Sequence, residues 1–283
     1  MDRKITDLAG TFKLRNGIDM PYLGLGTYMP KDRYEVTNSV RFALENGYRH
    51  IDTAAIYRNE NDVRQGIEAS NVDRKDIFLT TKVWNSDHGY DKTFKAFERS
   101  LENLQMNYVD LYLVHWPIVG LYKETWRALE QLYKEGRVRA IGVSNFLQHQ
   151  LEDLMESAEV IPMVNQMEFH PYLVQQDIID FCNKHHIQYQ AWSPLMQGKV
   201  FELPEFQKLA EKYTKSIAQI VLRYDLQKGV ITIPKSAKEQ RIIANTDLFD
   251  FELSQSDMNF LDAMDRNYRT GPNPDNFEWS LVL

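Results

Sequence analysis

The sequence predicts an α/β protein that folds as a single (β/α)8 TIM barrel. Eight short apolar segments alternate with amphipathic helical patterns, and no low-complexity linker or change of composition divides the chain. Apolar strands that alternate with helices are typical of a parallel sheet covered by helices. Eight such repeats favour one closed barrel over two doubly wound domains, so we expect residues 1–283 to form one domain.

A hairpin is predicted before the first barrel strand, in the segment TFKLRNGIDMPYLGLGTY. Its Asn16-Gly17 dipeptide favours a two-residue type I′ turn, because both residue types adopt positive φ readily. The eight barrel strands are then predicted at residues 23–27, 50–54, 77–83, 109–115, 140–145, 163–169, 187–193 and 230–236.

The segments between these strands carry the 3.6-residue period of helices. In EVTNSVRFALENG, Val36, Val40 and Leu44 share one face, and Gly47 is a stop signal. The segment AEKYTKSIAQIVLRYDLQKG is predicted to hold two helical pieces. The tail, residues 254–283, reads as a helix and a Gly/Pro/Asn-rich extension that we expect to fold over the barrel mouth.

Composition limits the classes of partner. The net charge is −7 with both signs mixed along the chain, which argues against nucleic acid and anionic membrane surfaces. No apolar run approaches the ~20 residues of a membrane span, and the N-terminus lacks an apolar signal core. The single cysteine, Cys182, suits a reducing cytoplasm. We therefore expect a cytoplasmic monomer with a small-molecule partner.

Four reactive side chains lie at or just after predicted strand ends. Asp52 ends the second strand, Tyr57 follows in its loop, Lys82 ends the third strand and His115 ends the fourth. Active sites of (β/α)8 barrels form at this end of the strands. The structural alternative is a buried Asp52–Lys82 ion pair with a satisfied His115. Four such residues in one plane of one barrel favour a catalytic site.

Their chemistry suits the reduction of a carbonyl, which needs a hydride on carbon and a proton on the developing alkoxide. Free tyrosine has a pKa of ~10. We expect the ammonium of Lys82 to lower the pKa of Tyr57 and the carboxylate of Asp52 to hold that ammonium in place. His115 is predicted to donate a hydrogen bond to the substrate oxygen and so orient the carbonyl.

A phosphate site is predicted where the last strand ends, in IPKSAKEQR. Lys235, Ser236 and Arg241 can converge there with helix N-terminal amides on one phosphate group. The alternative is an N-capped helix with a solvated basic turn. The segment LGLGTY carries only two glycines of a dinucleotide fingerprint and is followed by Met29 and Pro30, so it is weak support for a Rossmann fold.

Three motifs in order resemble the signatures of the aldo-keto reductases, namely GYRHIDTAAIYRNE (47–60), LEQLYKEGRVRAIGVSNF (129–146) and IPKSAKEQRIIANTDL (233–248). The similarity covers nearly the whole chain, which resembles the prokaryotic 2,5-diketogluconate and methylglyoxal reductases of that family. It implies a β-hairpin that closes the barrel bottom and a catalytic tetrad with Tyr57 as the general acid. The other tetrad members are Asp52, Lys82 and His115.

The resemblance also implies the cofactor. In that family, the residues that match Lys235, Ser236 and Arg241 bind the adenosine 2′-phosphate of the cofactor. This favours NADPH (NADP+) over NADH. Further matching cofactor positions are Thr27, Ser144, Asn145, Gln166, Trp192, Ser193, Pro194, Leu195 and Asn245. Ala244 replaces a common Glu, which puts one adenine hydrogen bond in question. Arg64 replaces a usual Gly without evident chemical consequence.

An aromatic substrate pocket is predicted beyond strands one, three and four. Tyr28, Trp84 and Trp116 can wall it, although each alone is also compatible with a rim residue that shields the core. The loop WPIVGLYKETW is shorter than in many relatives, and no Arg or Lys is placed to grip a substrate carboxylate. We expect a broad range of small aldehydes and α-dicarbonyls, such as methylglyoxal, rather than one target.

Three other classes of function are alternatives to this interpretation. A metal-dependent barrel hydrolase needs His and carboxylate ligands on several strand ends, and neither HxH nor HExxH is present, so we expect no metal. A catalytically weak NADPH-binding accessory or sensor protein would not need an intact tetrad. A nucleophilic hydrolase is disfavoured because GxSxG is absent.

Overall fold

The computed structural model describes residues 4–28 and 33–276, and the predicted hairpin is its first element. Strand β1 (Thr11–Lys13) pairs antiparallel with β2 (Asp19–Pro21). Asn16 Nδ2 donates to the carbonyl oxygen of Arg139 at 3.0 Å. Since Arg139 lies near the start of a barrel strand, the hairpin covers the N-terminal end of the barrel, as expected.

The predicted type I′ turn of this hairpin is wrong. The Leu14 N–H donates to the Ile18 carbonyl at 2.8 Å, so three residues, 15–17, connect the strands. Of these three described residues only Gly17 has a positive φ, at 88°. A three-residue connection of this kind needs one left-handed residue at its last position, and Asn16 therefore keeps an ordinary backbone conformation.

Eight parallel strands follow in the described residues and form one sheet in sequence order. They are Leu25–Gly26 (β3), His50–Asp52 (β4), Phe78–Val83 (β5), Val109–Val114 (β6), Val138–Ser144 (β7), Val164–Glu168 (β8), Gln188–Trp192 (β9) and Ile231–Thr232 (β10). Leu23 bridges in parallel to Thr232, and the Gly24 N–H donates to the Thr232 carbonyl at 2.9 Å. The sheet thus closes into the predicted (β/α)8 barrel.

The helices surround this barrel. They are Arg33–Glu45 (α1), Glu60–Ala69 (α2), Tyr90–Leu104 (α3), Tyr122–Lys134 (α4), Gln148–Met155 (α5), Gln176–Lys184 (α6), Pro204–Tyr213 (α7), Ile217–Gln227 (α8), Glu239–Ala244 (α9) and Gln255–Asp262 (α10). Helix α1 packs against both α2 and α9, so the helical layer closes as the sheet does. No helix within the described ranges is long and apolar enough to cross a membrane.

Amphipathic spacing explains how these helices dock. In α3, Phe97, Leu101 and Leu104 are buried, whereas Glu98 and Glu102 are exposed. Residues three or four apart lie on one helix face, so the apolar stripe meets the sheet and the acidic face meets solvent.

The predicted pair of helical pieces is also confirmed. Helix α7 ends at Tyr213 and is followed by Thr214, which has a left-handed φ of 55°. Ser216 then caps α8, because its hydroxyl accepts from the Gln219 N–H and the Gln219 side chain accepts from the Ser216 N–H. This reciprocal capping box starts the second helix.

The described part of the tail returns to the barrel mouth after α10. The Arg266 and Tyr268 N–H groups donate to the Tyr172 carbonyl, and the Thr270 N–H donates to Glu168 at the end of β8. These contacts agree with the predicted return of the tail. Residues 277–283 lie outside the described residues.

One buried acid in the helical layer gives a pH-dependent prediction. Asp225 on α8 accepts a hydrogen bond from the Thr232 hydroxyl at 2.8 Å, and burial raises its pKa well above the ordinary value. Protonated Asp225 contributes fully to the free energy of unfolding below about pH 4, which is the pKa of Asp in the unfolded chain. This contribution declines as the pH rises through the higher pKa of Asp225 in the folded protein. Asp225→Asn is expected to gain stability relative to wild type as the pH rises, by at most ~1.4 kcal/mol per pH unit. Urea unfolding at several pH values measures this, and a pH-independent difference would contradict it.

Candidate active site

A buried ion pair forms the centre of the site. Lys82 Nζ donates to Asp52 Oδ1 at 2.5 Å and to the Thr53 carbonyl at 2.9 Å. The two side chains are 0% and 3% exposed. Removing one partner from such a pair leaves an uncompensated charge in a medium of low polarity, which costs several kcal/mol. Asp52 and Lys82 therefore depend on each other.

Parallel pairing of neighbouring strands places these two residues together. Asp52 on β4 is in register with Thr80 on β5, and Lys82 lies two residues further along the same strand. Residues two apart on a strand point to the same face. Because the pair lies at the C-terminal ends of β4 and β5, it opens towards the barrel mouth.

Tyr57 and His115 lie beside this pair. Tyr57 ends a 3₁₀ turn at Ala55–Tyr57, and its ring lies 5.8 Å from the His115 ring in an edge-on arrangement. Lys82 Nζ lies 5.2 Å from the centre of the Tyr57 ring. The structure thus brings together all four residues that the sequence analysis selected at the strand ends.

The Tyr57 loop is held by a residue that the sequence analysis missed. Asn59 is buried, donates from Nδ2 to the Thr27 carbonyl at 2.9 Å and accepts from the Thr53 hydroxyl at 2.7 Å. These bonds connect the loop after β4 to the end of β3. Asn59 belongs to the first signature motif, so its position there was an available signal.

The electrostatics differ from the expectation for Tyr57. Burial raises the pKa of Tyr57 well above its ordinary value, and the negative charge of Asp52 adds to the increase. Burial also lowers the pKa of Lys82, against the opposing effect of Asp52. The predicted lowering of the Tyr57 pKa by Lys82 is therefore outweighed by desolvation and by Asp52. Tyr57 is held as a neutral phenol, which is the form that can donate a proton.

His115 is also held neutral. Burial lowers its pKa well below the ordinary value, and the neighbouring charges of Lys82 and His88 act in the same direction. A neutral imidazole has one donor and one acceptor nitrogen. His115 can therefore donate one hydrogen bond into the site.

Gln166 on β8 joins the ion pair to the next strand. Its Nε2 donates to Asp52 Oδ2 at 2.7 Å and to Gln190 Oε1 at 3.1 Å. Lys82 and Gln166 thus each satisfy one oxygen of the Asp52 carboxylate. Gln190, on β9, was not among the predicted site residues.

Three further predicted residues form a hydrogen-bonded row across the ends of β7 to β9. Asn145 has a left-handed φ of 64°, and its Nδ2 donates to the His115 carbonyl at 3.0 Å. Trp192 Nε1 donates to Asn145 Oδ1 at 2.9 Å. The Ser144 hydroxyl donates to the Gln166 carbonyl at 2.9 Å. The Trp192 indole is therefore fixed within reach of the tetrad.

The segment Ser193, Pro194 and Leu195 follows β9 and leads into a 3₁₀ segment at Met196–Glu202. Ser193 has a positive φ of 54°. Lys199 Nζ donates to the Tyr268 hydroxyl at 2.7 Å, so this segment contacts the returning tail. The structure places it at the mouth, as its predicted cofactor role requires.

Glu168 anchors the tail against Trp192 and was missed in the sequence. Its buried carboxylate accepts from the Thr270 N–H at 2.6 Å and the Gly271 N–H at 3.2 Å. Burial raises the pKa of Glu168, but the hydrogen bonds from His170 and Thr270 outweigh this and lower it. A carboxylate at the end of an apolar strand was the available signal, the same one that identified Asp52.

The predicted phosphate residues lie around the end of β10. Lys235 Nζ contacts Glu35 Oε1 at 2.5 Å, and the Ser236 hydroxyl accepts from the Lys238 N–H at 3.2 Å. A small pocket beside them is also lined by Thr27. Arg241 is exposed on α9, which begins at Glu239. A phosphate bound here would compete with Glu35 for Lys235.

Asn245 and the predicted aromatic residues complete the set. Asn245 is buried directly after α9. Tyr28 is 51% exposed, and its ring lies 4.9 Å from that of Tyr57. The Trp84 ring lies 5.1 Å from that of His115, and Trp116 is buried directly after His115. Aromatic surface thus adjoins Tyr57 and His115.

Comparison with known proteins agrees with this geometry. The model of the Aldo/keto reductase family matches residues 22–266. The chain belongs to this family. The resemblance inferred from the three sequence motifs is therefore confirmed, and so is the (β/α)8 fold with its N-terminal hairpin.

Similar members of the aldo-keto reductase family come from distant organisms. Glyoxal reductase of Bacillus subtilis is 57% identical over 95% of this chain and 98% of its own length. Methylglyoxal reductase DkgA of Escherichia coli K12 is 42% identical over 94% and 97%. The crystal structure of a Bombyx mori aldo-keto reductase in complex with NADP superposes with a TM-score of 0.89, at 35% identity over 96% of this chain and 97% of that one.

Neither departure from the aldo-keto reductase motifs disturbs the tetrad. Ala244 ends α9, and its carbonyl accepts from Gln219 Nε2 at 3.0 Å. Arg64 pairs with Glu68 one turn along α2, at 2.7 Å. Within the described residues no group of three or more His, Cys, Asp or Glu side chains is arranged to hold a metal ion.

The contact between the tail and Trp192 can be tested by one substitution. A Cβ added at Gly271 would lie 2.5 Å from Cη2 of Trp192, so Gly271→Ala must displace the indole. Overpacking costs ~1–3 kcal/mol, and we expect NADPH to bind roughly tenfold more weakly. Fluorescence titration with NADPH measures this effect.

Gly136→Ala is the matched control, because a Cβ at Gly136 meets nothing within 4 Å and only the positive φ of 71° is strained. It should lower the thermal stability and leave NADPH binding unchanged. Equal NADPH affinities for Gly271→Ala and wild type would show that the tail does not position Trp192.

Proposed function

We propose that this aldo-keto reductase reduces small aldehydes and α-dicarbonyls to alcohols with NADPH, and that Tyr57 donates the proton. The observation that carries the proposal is the buried cluster of Asp52, Lys82, Tyr57 and His115 at the barrel mouth. NADPH, when bound, supplies the hydride to the carbonyl carbon. The protein must then supply the proton and stabilise the charge that develops on oxygen.

The residues present fit such a cofactor by their chemistry. Lys235 and Arg241 are cations with a hydroxyl, Ser236, between them in sequence, and they suit a 2′-phosphate. The amides of Asn145 and Gln166 and the hydroxyl of Ser144 suit a carboxamide, and the Trp192 ring offers a face for stacking. Ser193, Pro194, Leu195, Thr27 and Asn245 complete the set of proposed cofactor residues.

Proton transfer from Tyr57 follows from its surroundings. As a neutral phenol it carries the proton to be donated, and Lys82, 5.2 Å from its ring, stabilises the phenolate that forms. Asp52 holds Lys82 in place through the 2.5 Å contact. Neutral His115 donates a hydrogen bond to the substrate oxygen and orients the carbonyl for attack.

The aromatic residues define the proposed substrate class. Tyr28, Trp84 and Trp116 form an apolar wall beside Tyr57 and His115, which suits small substrates with few charged groups. The names of the glyoxal and methylglyoxal reductases support the same class for this protein. We therefore propose methylglyoxal as a representative substrate.

The remaining expectations stay proposals. The single cysteine supports a cytoplasmic protein, and the acidic net charge of −7 supports the absence of nucleic-acid partners. The continuous barrel supports one domain over residues 1–283, and we propose that the protein is a monomer.

The central test is Tyr57→Phe. We expect turnover of methylglyoxal, a nitrobenzaldehyde and glyceraldehyde to fall by at least about a hundredfold, because the general acid is lost. NADPH binding, measured by fluorescence titration, should be retained. NADPH oxidation by wild type across this panel is the reference measurement.

Two outcomes would contradict the proposed function. Unchanged turnover in Tyr57→Phe would overturn the role of Tyr57 as proton donor. Failure of the wild type to oxidise NADPH with every carbonyl in the panel would instead favour an NADPH-binding accessory or sensor protein.

Cofactor choice can be tested at Arg241. We expect Arg241→Ala to raise KM for NADPH by about tenfold or more, because a charge-assisted hydrogen bond to phosphate contributes ~1.5–3 kcal/mol. KM for NADH, which lacks the 2′-phosphate, should change little. Arg127→Ala, at an exposed arginine that pairs with Glu124 on α4, is the matched control. Equal effects on both cofactors would contradict a 2′-phosphate contact.

A further inference from the structure

A buried polar loop adjoins His115, and two of its side chains, Asn85 and His88, have no role in the mechanism given above. It follows β5 and contains Trp84, a 3₁₀ turn at Asn85–Asp87, and His88. Asn85 and His88 are 4% and 2% exposed. The Gly89 N–H donates to the Thr125 hydroxyl at 2.8 Å, which fixes the end of the loop against α4.

Both polar side chains of this loop lack protein partners. Nδ2 and Oδ1 of Asn85 and both ring nitrogens of His88 are buried without a hydrogen bond from the described residues. Leaving such a group unsatisfied in a buried position destabilises the folded protein. Two adjacent side chains of this kind in one loop indicate a site that accommodates a small polar molecule.

His115 presents a fifth unsatisfied atom nearby. Its Nδ1 is buried without a partner in the described part of the chain, whereas its Nε2 is not enclosed in this way. Trp84, which directly precedes Asn85, lies with its ring 5.1 Å from the His115 ring. His88 is close enough for its charge to lower the pKa of His115. The loop therefore lies beside the His115 ring, whose Nδ1 is buried without a partner in the described residues.

The tautomer of His115 decides whether it can act. A neutral imidazole donates from one nitrogen only, and the nitrogen that carries the proton is set by the hydrogen bond at the other. Donation to a substrate from Nε2 requires Nδ1 to be the acceptor. A group that donates to Nδ1 would therefore favour the tautomer that can act on the substrate.

We propose that Asn85 and His88 hold a buried water molecule that donates a hydrogen bond to His115 Nδ1 and so keeps the proton on Nε2. One water can bridge two to four polar groups in a buried polar site. Asn85 and His88 are thus positioning residues, since they act on the substrate through His115. The inference rests on the proposed function only for its effect on turnover, because the tautomer exists without substrate.

The direct test measures the His115 tautomer by imidazole ¹⁵N NMR of the full chain, with the His115 signals assigned by their loss in His115→Gln. Wild type is expected to show the Nε2–H form. His88→Phe removes both ring nitrogens, so we expect a mixture of tautomers and a kcat for methylglyoxal about tenfold lower. KM for NADPH should stay within about twofold, because no hydrogen bond joins His88 to a proposed cofactor residue within the described part of the chain. His88→Gln, which keeps a donor and an acceptor, is expected to restore the tautomer and most of kcat.

His50→Phe is the matched control for loss of a buried histidine. His50 is also fully buried, its pKa is also lowered by burial to about 4, and both its nitrogens lie near oxygen partners, the Pro21 carbonyl and the Thr80 hydroxyl. It lies at the start of β4, at the opposite end of the barrel from His115. We expect its loss to lower stability without changing the His115 tautomer.

If His88→Phe does not fold, Asn85→Leu removes the other side of the same site at similar volume and should shift the tautomer alike. A wild-type tautomer and unchanged kcat in the folded variant would overturn the proposal. If wild type shows the Nε2–H form but reduces no carbonyl of the panel, and the tautomer shifts in His88→Phe, the proposed function is refuted and the role of Asn85 and His88 is supported. An Nδ1–H tautomer in wild type would refute the positioning role even if turnover is normal.

Discussion

The buried ion pair of Asp52 and Lys82 is the constraint on which the rest of the site depends. Two charges inside a barrel are tolerated only when each is compensated and hydrogen-bonded. Lys82 meets this need with Asp52 and the Thr53 carbonyl, and Asp52 meets it with Lys82 and Gln166. Gln166 is in turn bonded to Gln190 on the next strand. Because the buried ion pair must be fully hydrogen-bonded, polar side chains on four strands are held in place around it.

The same exclusion of water sets the protonation states around the pair. Desolvation raises the pKa of Tyr57 and lowers that of His115, so both groups are neutral beside a charged pair. A neutral phenol and a neutral imidazole are both hydrogen-bond donors. Burial that would be a cost in an ordinary core therefore produces two neutral hydrogen-bond donors whose rings lie 5.8 Å apart. The positive charge of Lys82 lies close to the phenol whose ionisation it would stabilise.

The eight strands and the tetrad could be predicted because their signals are local: an apolar run marks a strand, and a reactive side chain at its end marks the mouth. Other features depend on distant contacts. Gln190 reads as an ordinary strand residue, and its role appears only when Gln166 lies beside it. The need for glycine at position 271 appears only in the structure, where Trp192 lies against it.

The turn at Asn16-Gly17 was predicted wrongly because the dipeptide fits two loop lengths and only strand register decides between them. The pKa of Tyr57 was expected to be lowered because Lys82 was predicted to lie beside it. The degree of burial, which raises this pKa, cannot be deduced from the sequence.

The position of His115 shows how remote segments combine to define one donor. Its carbonyl accepts from Asn145, whose side chain accepts from Trp192, and Trp192 packs against the tail that Glu168 holds at Thr270 and Gly271. A C-terminal segment is thereby connected to a residue at the end of β6 through three side chains. This connection fixes the backbone of His115 but leaves the proton free to occupy either ring nitrogen. A hydrogen-bond donor at Nδ1 would select the tautomer that donates from Nε2, and the loop of Asn85 and His88, beside the His115 ring, is proposed to hold that donor. Under this proposal, contacts on the side of Asn145 set the position of His115, and Asn85 and His88 set its protonation.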